Sequence, residues 1–93
     1  IGLIFNTAED KDLEAMVAAL PTAARVIIPK AQSPRVRNPE DTAQAFENDV
    51  RVHQAPSIRA ALAQAQEWPG LVWVITGSNY VVGEALAELE GIS

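Results

Sequence analysis

The sequence predicts an α/β fold in three layers, with a mainly parallel sheet between helices on both of its faces. Four short apolar runs alternate with four segments in which apolar residues recur at helical spacing. Strands that alternate with helices in this way form parallel sheets joined by right-handed crossovers. The run at residues 71–75 has no polar face, which is typical of a strand covered on both sides. We therefore predict the element order βαβαβαβα.

Short apolar runs and prolines define the first two strands and the helix between them. Residues 1–5 form the first strand, and Asp10 is expected to cap the first helix. Pro21 ends that helix, and residues 25–28 form a second strand that stops at Pro29. The apolar stripe of the helix consists of Leu13, Met16, Val17 and Leu20.

The longest irregular segment covers residues 29–39 and leads into a second helix. Asn38 is predicted to cap this helix, because Pro39 stands at its first position and acidic residues follow in its first turn. We expect the helix to run to about Glu47. A weak third strand follows at residues 50–53.

The last third of the chain contains a helix, a strand and a second helix. Ser57 is expected to cap the third helix, which Trp68 extends. The fourth strand, residues 71–75, turns at Gly77 into the fourth helix. The apolar positions of that helix are Val81, Val82, Ala85, Leu86 and Leu89. The whole pattern predicts a Rossmann-like domain over residues 1–93.

Composition limits the classes of function. Seven basic and twelve acidic residues give a net charge of -5, which argues against nucleic acid or an anionic membrane as the partner. The chain has no cysteine, so a disulfide framework and a thiolate zinc site are excluded. No apolar run approaches the roughly 20 residues of a membrane helix. Because the chain starts with Ile1, already inside a strand, we expect a fragment of a longer protein.

Ligands of parallel sheets bind outside the carboxyl ends of the strands. Here that rule selects four turns, of which the first, second and fourth carry residues capable of chemistry. We predict that Lys11, Arg35 and Ser78 gather on one rim and make a positive pocket for a carboxylate or a phosphate. Ser78 follows a glycine turn at a helix start, where free N–H groups favour a phosphate or a carboxylate.

The charged residues of these turns have simpler interpretations too. Lys11 can present a fixed positive charge, with Asp10 or Asp12 orienting it or accepting from a ligand amine. Helix capping within a solvated charge cluster explains the same residues. Arg35 can clamp a carboxylate with paired donors, or lie in solvent like its neighbour Arg37.

The remaining candidates are weaker. Gly77 is a weak cofactor-binding candidate, because its turn matches neither the G-x-x-x-x-G-K-S/T loop nor G-x-G-x-x-G. Tyr80 could place its hydroxyl in the cleft or cover the sheet edge. Gly83 is most simply a packing glycine. His53, the only histidine, lacks a visible Asp or Ser partner, so a structural role is favoured. Both tryptophans are predicted to be packing residues.

Three motifs in order resemble the C-terminal domain of folylpolyglutamate synthase/dihydrofolate synthase, in the Mur ligase superfamily. They are Asp-Lys-Asp at 10–12, Ser-Pro-Arg at 33–35 and Thr-Gly-Ser-Asn-Tyr-Val-Val-Gly at 76–83. The family pattern has glycine where this chain has Asn6, alanine at Thr7 and leucine at Asn79. Asn6 puts the close backbone approach of the first turn in doubt. The resemblance covers essentially all 93 residues, and implies a domain that lacks its first strand and helix.

The resemblance implies a reaction and a set of site residues. ATP converts a folate or pteroate carboxylate into an acyl phosphate, which the amine of L-glutamate attacks. Lys11 and Ser78 would meet the glutamate carboxylates. The same cleft would be lined by Asp10, Asp12 and Arg35, with Tyr80 at its rim.

The resemblance also implies partners outside this chain. ATP and Mg²⁺ would be bound mostly by an N-terminal P-loop ATPase domain of the same protein, a cytoplasmic monomer that binds neither nucleic acid nor membrane. We expect no catalytic residue in these 93 residues, because nothing in them can bind and polarise a γ-phosphate.

Two other functions remain open from the sequence. One is a non-catalytic Rossmann-like binding or interaction module, and the other is the C-terminal domain of a peptidoglycan Mur ligase. A receiver domain is disfavoured, because the third strand ends at His53 with no phosphoacceptor aspartate.

Overall fold

The computed structural model describes residues 1–47 and 49–91. One four-stranded, fully parallel sheet has the strand order β3-β2-β1-β4. The elements are β1 (Gly2–Phe5), α1 (Leu13–Ala19), β2 (Arg25–Pro29), α2 (Pro39–Gln44), β3 (Val52–Ala55), α3 (Ile58–Ala65), β4 (Trp73–Thr76) and α4 (Asn79–Leu89). The predicted α/β class and the predicted element order are confirmed.

Strand β1 is the buried centre of the sheet. It pairs with β2 on one side and β4 on the other, and all four of its residues are buried. Because side chains alternate along a strand, Leu3 and Phe5 face one helical layer and Ile4 faces the other. Phe5 meets Phe46, which follows α2, edge-on with ring centroids 6.2 Å apart. On the opposite face Ile4 packs with Ile27 and the alanines of α3.

Strand β4 lies at the edge of the sheet, and the prediction that it is covered on both sides is wrong. Val72 and Val74 are 71% and 40% exposed. Trp73 and Ile75 do pack against the buried core on the α3 side. On the other face α2 packs on β2 and β3, too far along the sheet to cover Val74. An apolar run therefore indicated a strand here but did not give its place in the sheet.

The N-terminal cap of α1 also differs from the prediction. Asp12, rather than Asp10, caps the helix, and its carboxylate accepts a hydrogen bond of 3.1 Å from the Ala15 N–H. No residue of α1 is buried. The apolar stripe of this helix therefore covers the sheet only loosely.

Helix α2 and strand β3 have shifted boundaries. Asn38 precedes α2, but its side chain makes no capping hydrogen bond, and the helix ends at Gln44 instead of reaching Glu47. Glu47 has a positive φ of 53°, a conformation that ends helical structure. Strand β3 starts two residues later than predicted, and Val50 is 90% exposed.

The N-terminal cap of α3 is the predicted one. The Ser57 hydroxyl accepts from the Ala60 N–H at 3.0 Å and caps α3, which ends at Ala65 instead of extending to Trp68. Gly83 in α4 is exposed, and an added Cβ would meet no atom within 4 Å, so it is not a packing glycine.

Within the described residues no helix combines the length and apolarity that crossing a bilayer requires.

Candidate functional site

A cleft of about 550 Å³ opens where β1 and β4 end side by side. The chain leaves β1 toward β2, whereas β4 lies on the other side of β1, so this is a point at which the strand order reverses. Such switch points are the usual ligand sites of open parallel sheets. The lining residues are Thr7, Ala8, Glu9, Asp10, Lys11, Arg35, Gly77, Ser78, Asn79 and Tyr80.

The predicted convergence of three turns on one rim is observed. Lys11, Arg35 and Ser78 come from the turns after β1, β2 and β4, and all three line this cleft. Asp10 and Tyr80 line it as well. Asp12 is not among the residues that line it, and its Oδ1 accepts the capping bond of α1. The role of each residue toward a ligand stays a prediction.

Gly77 lets the fourth turn pass directly against the end of β1. Its φ is +114°, and an added Cβ would collide with the backbone carbonyl oxygen of Asn6. Only glycine adopts this conformation without strain, and only glycine leaves room for that carbonyl. The first and fourth turns therefore approach each other closely, because position 77 is a glycine.

Ser78 begins α4 at the wall of the cleft. Its hydroxyl oxygen accepts a 3.1 Å hydrogen bond from the Tyr80 N–H, so its own proton remains available to donate. The first turn of α4 contains no acidic residue that would neutralise the partial positive charge of the helix start. This end of the cleft therefore favours an anionic group.

Arg35 reaches the cleft because the second turn pairs with the first. The Glu9 N–H donates to the Arg35 carbonyl oxygen at 2.9 Å, and the Arg37 N–H donates to the Thr7 carbonyl oxygen at 2.9 Å. These two bonds form a short antiparallel bridge between Ala8 and Val36. The bridge sets Arg35 beside the turn that carries the cleft lysine.

Glu84 of α4 holds the other side of the second turn. Its Oε1 accepts hydrogen bonds from the backbone N–H groups of Gln32 at 2.7 Å and Ser33 at 3.4 Å. The sequence analysis assigned Glu84 no role. The available signal was an acidic side chain six residues after the cap of α4.

Asn6 connects the end of β1 to β2 and α2. It is fully buried, and its Nδ2 donates to the carbonyl oxygens of Pro29 and Arg37, both at 2.9 Å. Its Oδ1 accepts from the Thr7 N–H at 2.8 Å and from the Thr42 hydroxyl at 2.6 Å. The side chain does not line the cleft. Its four hydrogen bonds hold the start of the first turn in place.

The charges of the cleft are balanced rather than purely positive. Its lining includes two acidic residues, Glu9 and Asp10, and two basic residues, Lys11 and Arg35. Within the part of the chain that the structure describes, none of these four side chains makes an ion pair. The predicted positive pocket is therefore a mixed one, whose acidic and basic groups are both available to a ligand.

His53 lies outside the cleft, in β3, and its ring packs against that of Trp68, with the centroids 5.2 Å apart and the planes tilted by 37°. Trp68 in turn lies 6.1 Å from Trp73, so the predicted packing role of the tryptophans is confirmed. Over residues 1–47 and 49–91, no three His, Asp or Glu side chains cluster in a way that could hold a metal ion.

The fold and the cleft define a parallel α/β domain with an open cleft at a strand-order reversal. No family model matches the chain. It is 38% identical over 89 residues to a Haloferax volcanii protein described as a probable bifunctional folylpolyglutamate synthase/dihydropteroate synthase. The match covers 91% of this chain and 11% of that protein.

Two solved structures give the same result. Folylpolyglutamate synthase from Mycobacterium tuberculosis in complex with ADP is 25% identical, with a TM-score of 0.70. The same enzyme in complex with ADP and AMPPCP is 27% identical, with a TM-score of 0.72. Each match covers 99% of this chain and 23% of the solved one. The predicted resemblance to folylpolyglutamate synthase is confirmed, and the similarity is to a small part of a longer enzyme.

Proposed function

We propose that residues 1–93 form a C-terminal substrate-binding domain of an ATP-dependent ligase that adds L-glutamate to a folate-type acceptor. The observation that carries this proposal is the meeting of Lys11, Arg35 and Ser78 in one cleft of a chain similar to folylpolyglutamate synthase. The whole reaction belongs to the full-length protein, because the chain spans only 11% and 23% of the relatives that it matches.

Glutamate suits this cleft by size and by charge. A cavity of about 550 Å³ falls within the roughly 300–1,000 Å³ of small-molecule sites. Glutamate carries two carboxylates and one ammonium group, so it requires both basic and acidic partners. The balanced lining supports such a zwitterion over a phosphate, which would be repelled by Glu9 and Asp10.

Each lining residue has a role that follows from its chemistry. Lys11 and the start of α4 at Ser78 would bind one carboxylate, and Arg35 the other through paired N–H donors. Asp10 would accept from the ammonium group. Tyr80, which is 42% exposed, stands at the rim, where its hydroxyl can close over a bound ligand. Asp12 is assigned no ligand, since it caps α1.

The residues present do not form a site for ATP and Mg²⁺. The turn at Gly77 provides one glycine and no lysine, unlike a loop that surrounds a triphosphate. Magnesium is bound by one or two carboxylates together with the phosphates of the substrate, so without a triphosphate site Glu9 and Asp10 are assigned no metal. In this proposal the rest of the protein binds ATP and forms the acyl phosphate. This domain delivers the glutamate amine to it, and the amide bond forms as phosphate leaves.

The test is a ligation assay on the full-length protein. It is supplied with ATP, Mg²⁺, L-glutamate and a folate acceptor, and ADP release and product mass are measured. We expect ADP release that depends on glutamate, and a product longer by one glutamyl residue. ADP release without glutamate, or with an amino-sugar peptide acceptor in place of folate, would overturn the proposal.

A matched pair of lysine variants assigns the activity to the cleft. Lys11→Met should raise the KM for glutamate by about ten- to a hundredfold, which corresponds to the loss of one charge-assisted hydrogen bond. Lys30→Met is the control, because Lys30 is exposed and lies outside the cleft. Equal KM values for glutamate in the two variants would show that Lys11 does not bind glutamate.

A further inference from the structure

Arg37 lies behind the wall of the cleft and contacts the turn that carries Lys11. Its Nη2 donates hydrogen bonds to two backbone carbonyl oxygens, that of Glu9 at 3.0 Å and that of Lys11 at 2.8 Å. The first carbonyl belongs to the peptide that precedes Asp10, and the second to the peptide that follows Lys11. One guanidinium nitrogen therefore fixes the two peptide planes that bracket these residues.

The backbone of Arg37 is tied to the same turn. Its N–H donates to the Thr7 carbonyl oxygen at 2.9 Å, and its carbonyl oxygen accepts from Asn6 Nδ2 at 2.9 Å. Arg37 thus contacts the first turn at both ends, from Asn6 to Lys11.

Apart from the bond of the Glu9 N–H to the Arg35 carbonyl and that of the Lys11 N–H to the Ala8 carbonyl, the described residues give this turn little other support. Helix α1, which follows it, has no buried residue, so packing of that helix cannot hold the turn rigidly. Glu9, Asp10 and Lys11 are all exposed. The hydrogen bonds from Arg37 are therefore a principal restraint on the geometry with which Asp10 and Lys11 face the cleft.

We propose that Arg37 is a positioning residue for the amino-acid substrate, which acts by holding the Glu9–Lys11 turn in its binding conformation. This rests on the function proposed above. Arg37 touches no ligand in this account, since it is absent from the lining of the cleft. Its effect on the substrate passes entirely through the backbone of the turn.

The experiment compares full-length Arg37→Gln, Arg37→Lys and Arg59→Gln. Arg59 is the matched control, because it pairs with Glu88 at 3.2 Å, its side chain is 73% exposed and it lies outside the cleft. Three quantities are measured: the KM for L-glutamate, the KM for ATP and the amide hydrogen exchange of residues 8–12.

Arg37→Gln should raise the KM for glutamate by about tenfold or more and leave the KM for ATP within about twofold. Exchange should become faster at residues 8–12, while most of the sheet stays unchanged. Arg37→Lys, which keeps the charge and several donors, should recover part of the loss. Arg59→Gln should match the wild type.

An unchanged KM for glutamate in Arg37→Gln would overturn the inference. So would a parallel rise of both KM values, which indicates general destabilisation. If the wild-type protein shows no glutamate-dependent ligation, the proposed function is refuted, and so is the assignment of L-glutamate as the substrate. Hydrogen exchange then decides separately: unchanged exchange at residues 8–12 removes Arg37 as the restraint on the turn, and faster exchange retains it.

Discussion

Replacing Asn6 by alanine should be among the most destabilising single changes in this domain. The Asn6 side chain is fully buried and makes four hydrogen bonds, with the Pro29 and Arg37 carbonyl oxygens, the Thr7 N–H and the Thr42 hydroxyl. Alanine removes both the donor and the acceptor. All four partners are then left in a buried site that the shorter side chain cannot satisfy.

The magnitude follows from those four bonds. Each contributes about 0.5–1.5 kcal/mol net, and a buried group left without a partner costs about 1–3 kcal/mol. Allowing for some relaxation and water entry, Asn6→Ala should lower the free energy of unfolding by about 3–5 kcal/mol. Typical stabilities of about 0.05–0.15 kcal/mol per residue give about 5–14 kcal/mol for a chain of this length. The variant would therefore lose a large fraction of its stability.

Urea titration followed by circular dichroism measures this loss. With slopes of about 1–3 kcal/mol per molar urea, the midpoint should fall by more than about 1 M. Asn38→Ala is the matched control, because Asn38 is exposed and makes no capping bond. Its change should stay within about 0.5 kcal/mol. If the two alanine variants unfolded at the same urea concentration, the role of Asn6 as a buried connector would be refuted.

Two further predictions concern backbone conformation and pH. Gly77→Ala should destabilise the domain by several kcal/mol, about 2 or more, because of its φ of +114° and the nearby Asn6 carbonyl. Gly83→Ala should stabilise it by about 0.5–1 kcal/mol, since this helical glycine faces open space. If the two alanine variants shifted the melting temperature equally, both assignments would be contradicted. Hydrogen bonds from Arg51 lower the pKa of Asp49 from 3.8 to about 2, so their stabilisation is complete above pH ~4 and lost as the pH falls toward 2. Asp49→Asn should flatten the fall in stability over that window, and an unchanged acid slope would count against the pair.

The sequence predicted the layers of this domain and the location of its cleft for a physical reason. Alternating periodicities specify a parallel sheet, and the ends of parallel strands meet at one edge. Lys11, Arg35 and Ser78 could therefore be brought together without coordinates. The position of a strand within the sheet has no such local signature. For that reason the sequence predicted a central, covered position for β4, whereas the central strand of that pair is β1.

The missed contacts join residues far apart in the chain. Arg37 reaches Glu9 across 28 residues, and Glu84 reaches Gln32 across 52. No periodicity or motif encodes such a pairing. The cap of α1 was mispredicted for the opposite reason, because several possible acceptors lie within one turn. Sequence alone does not decide between Asp10 and Asp12 when both precede the same helix.

The most direct test is a crystal structure of the full-length protein with L-glutamate bound. We expect electron density for glutamate between the ends of β1 and β4, with one carboxylate within hydrogen-bonding distance of Lys11 Nζ or the Ser78 hydroxyl. Glutamate bound elsewhere in the protein, with this cleft holding only water, would contradict this expectation.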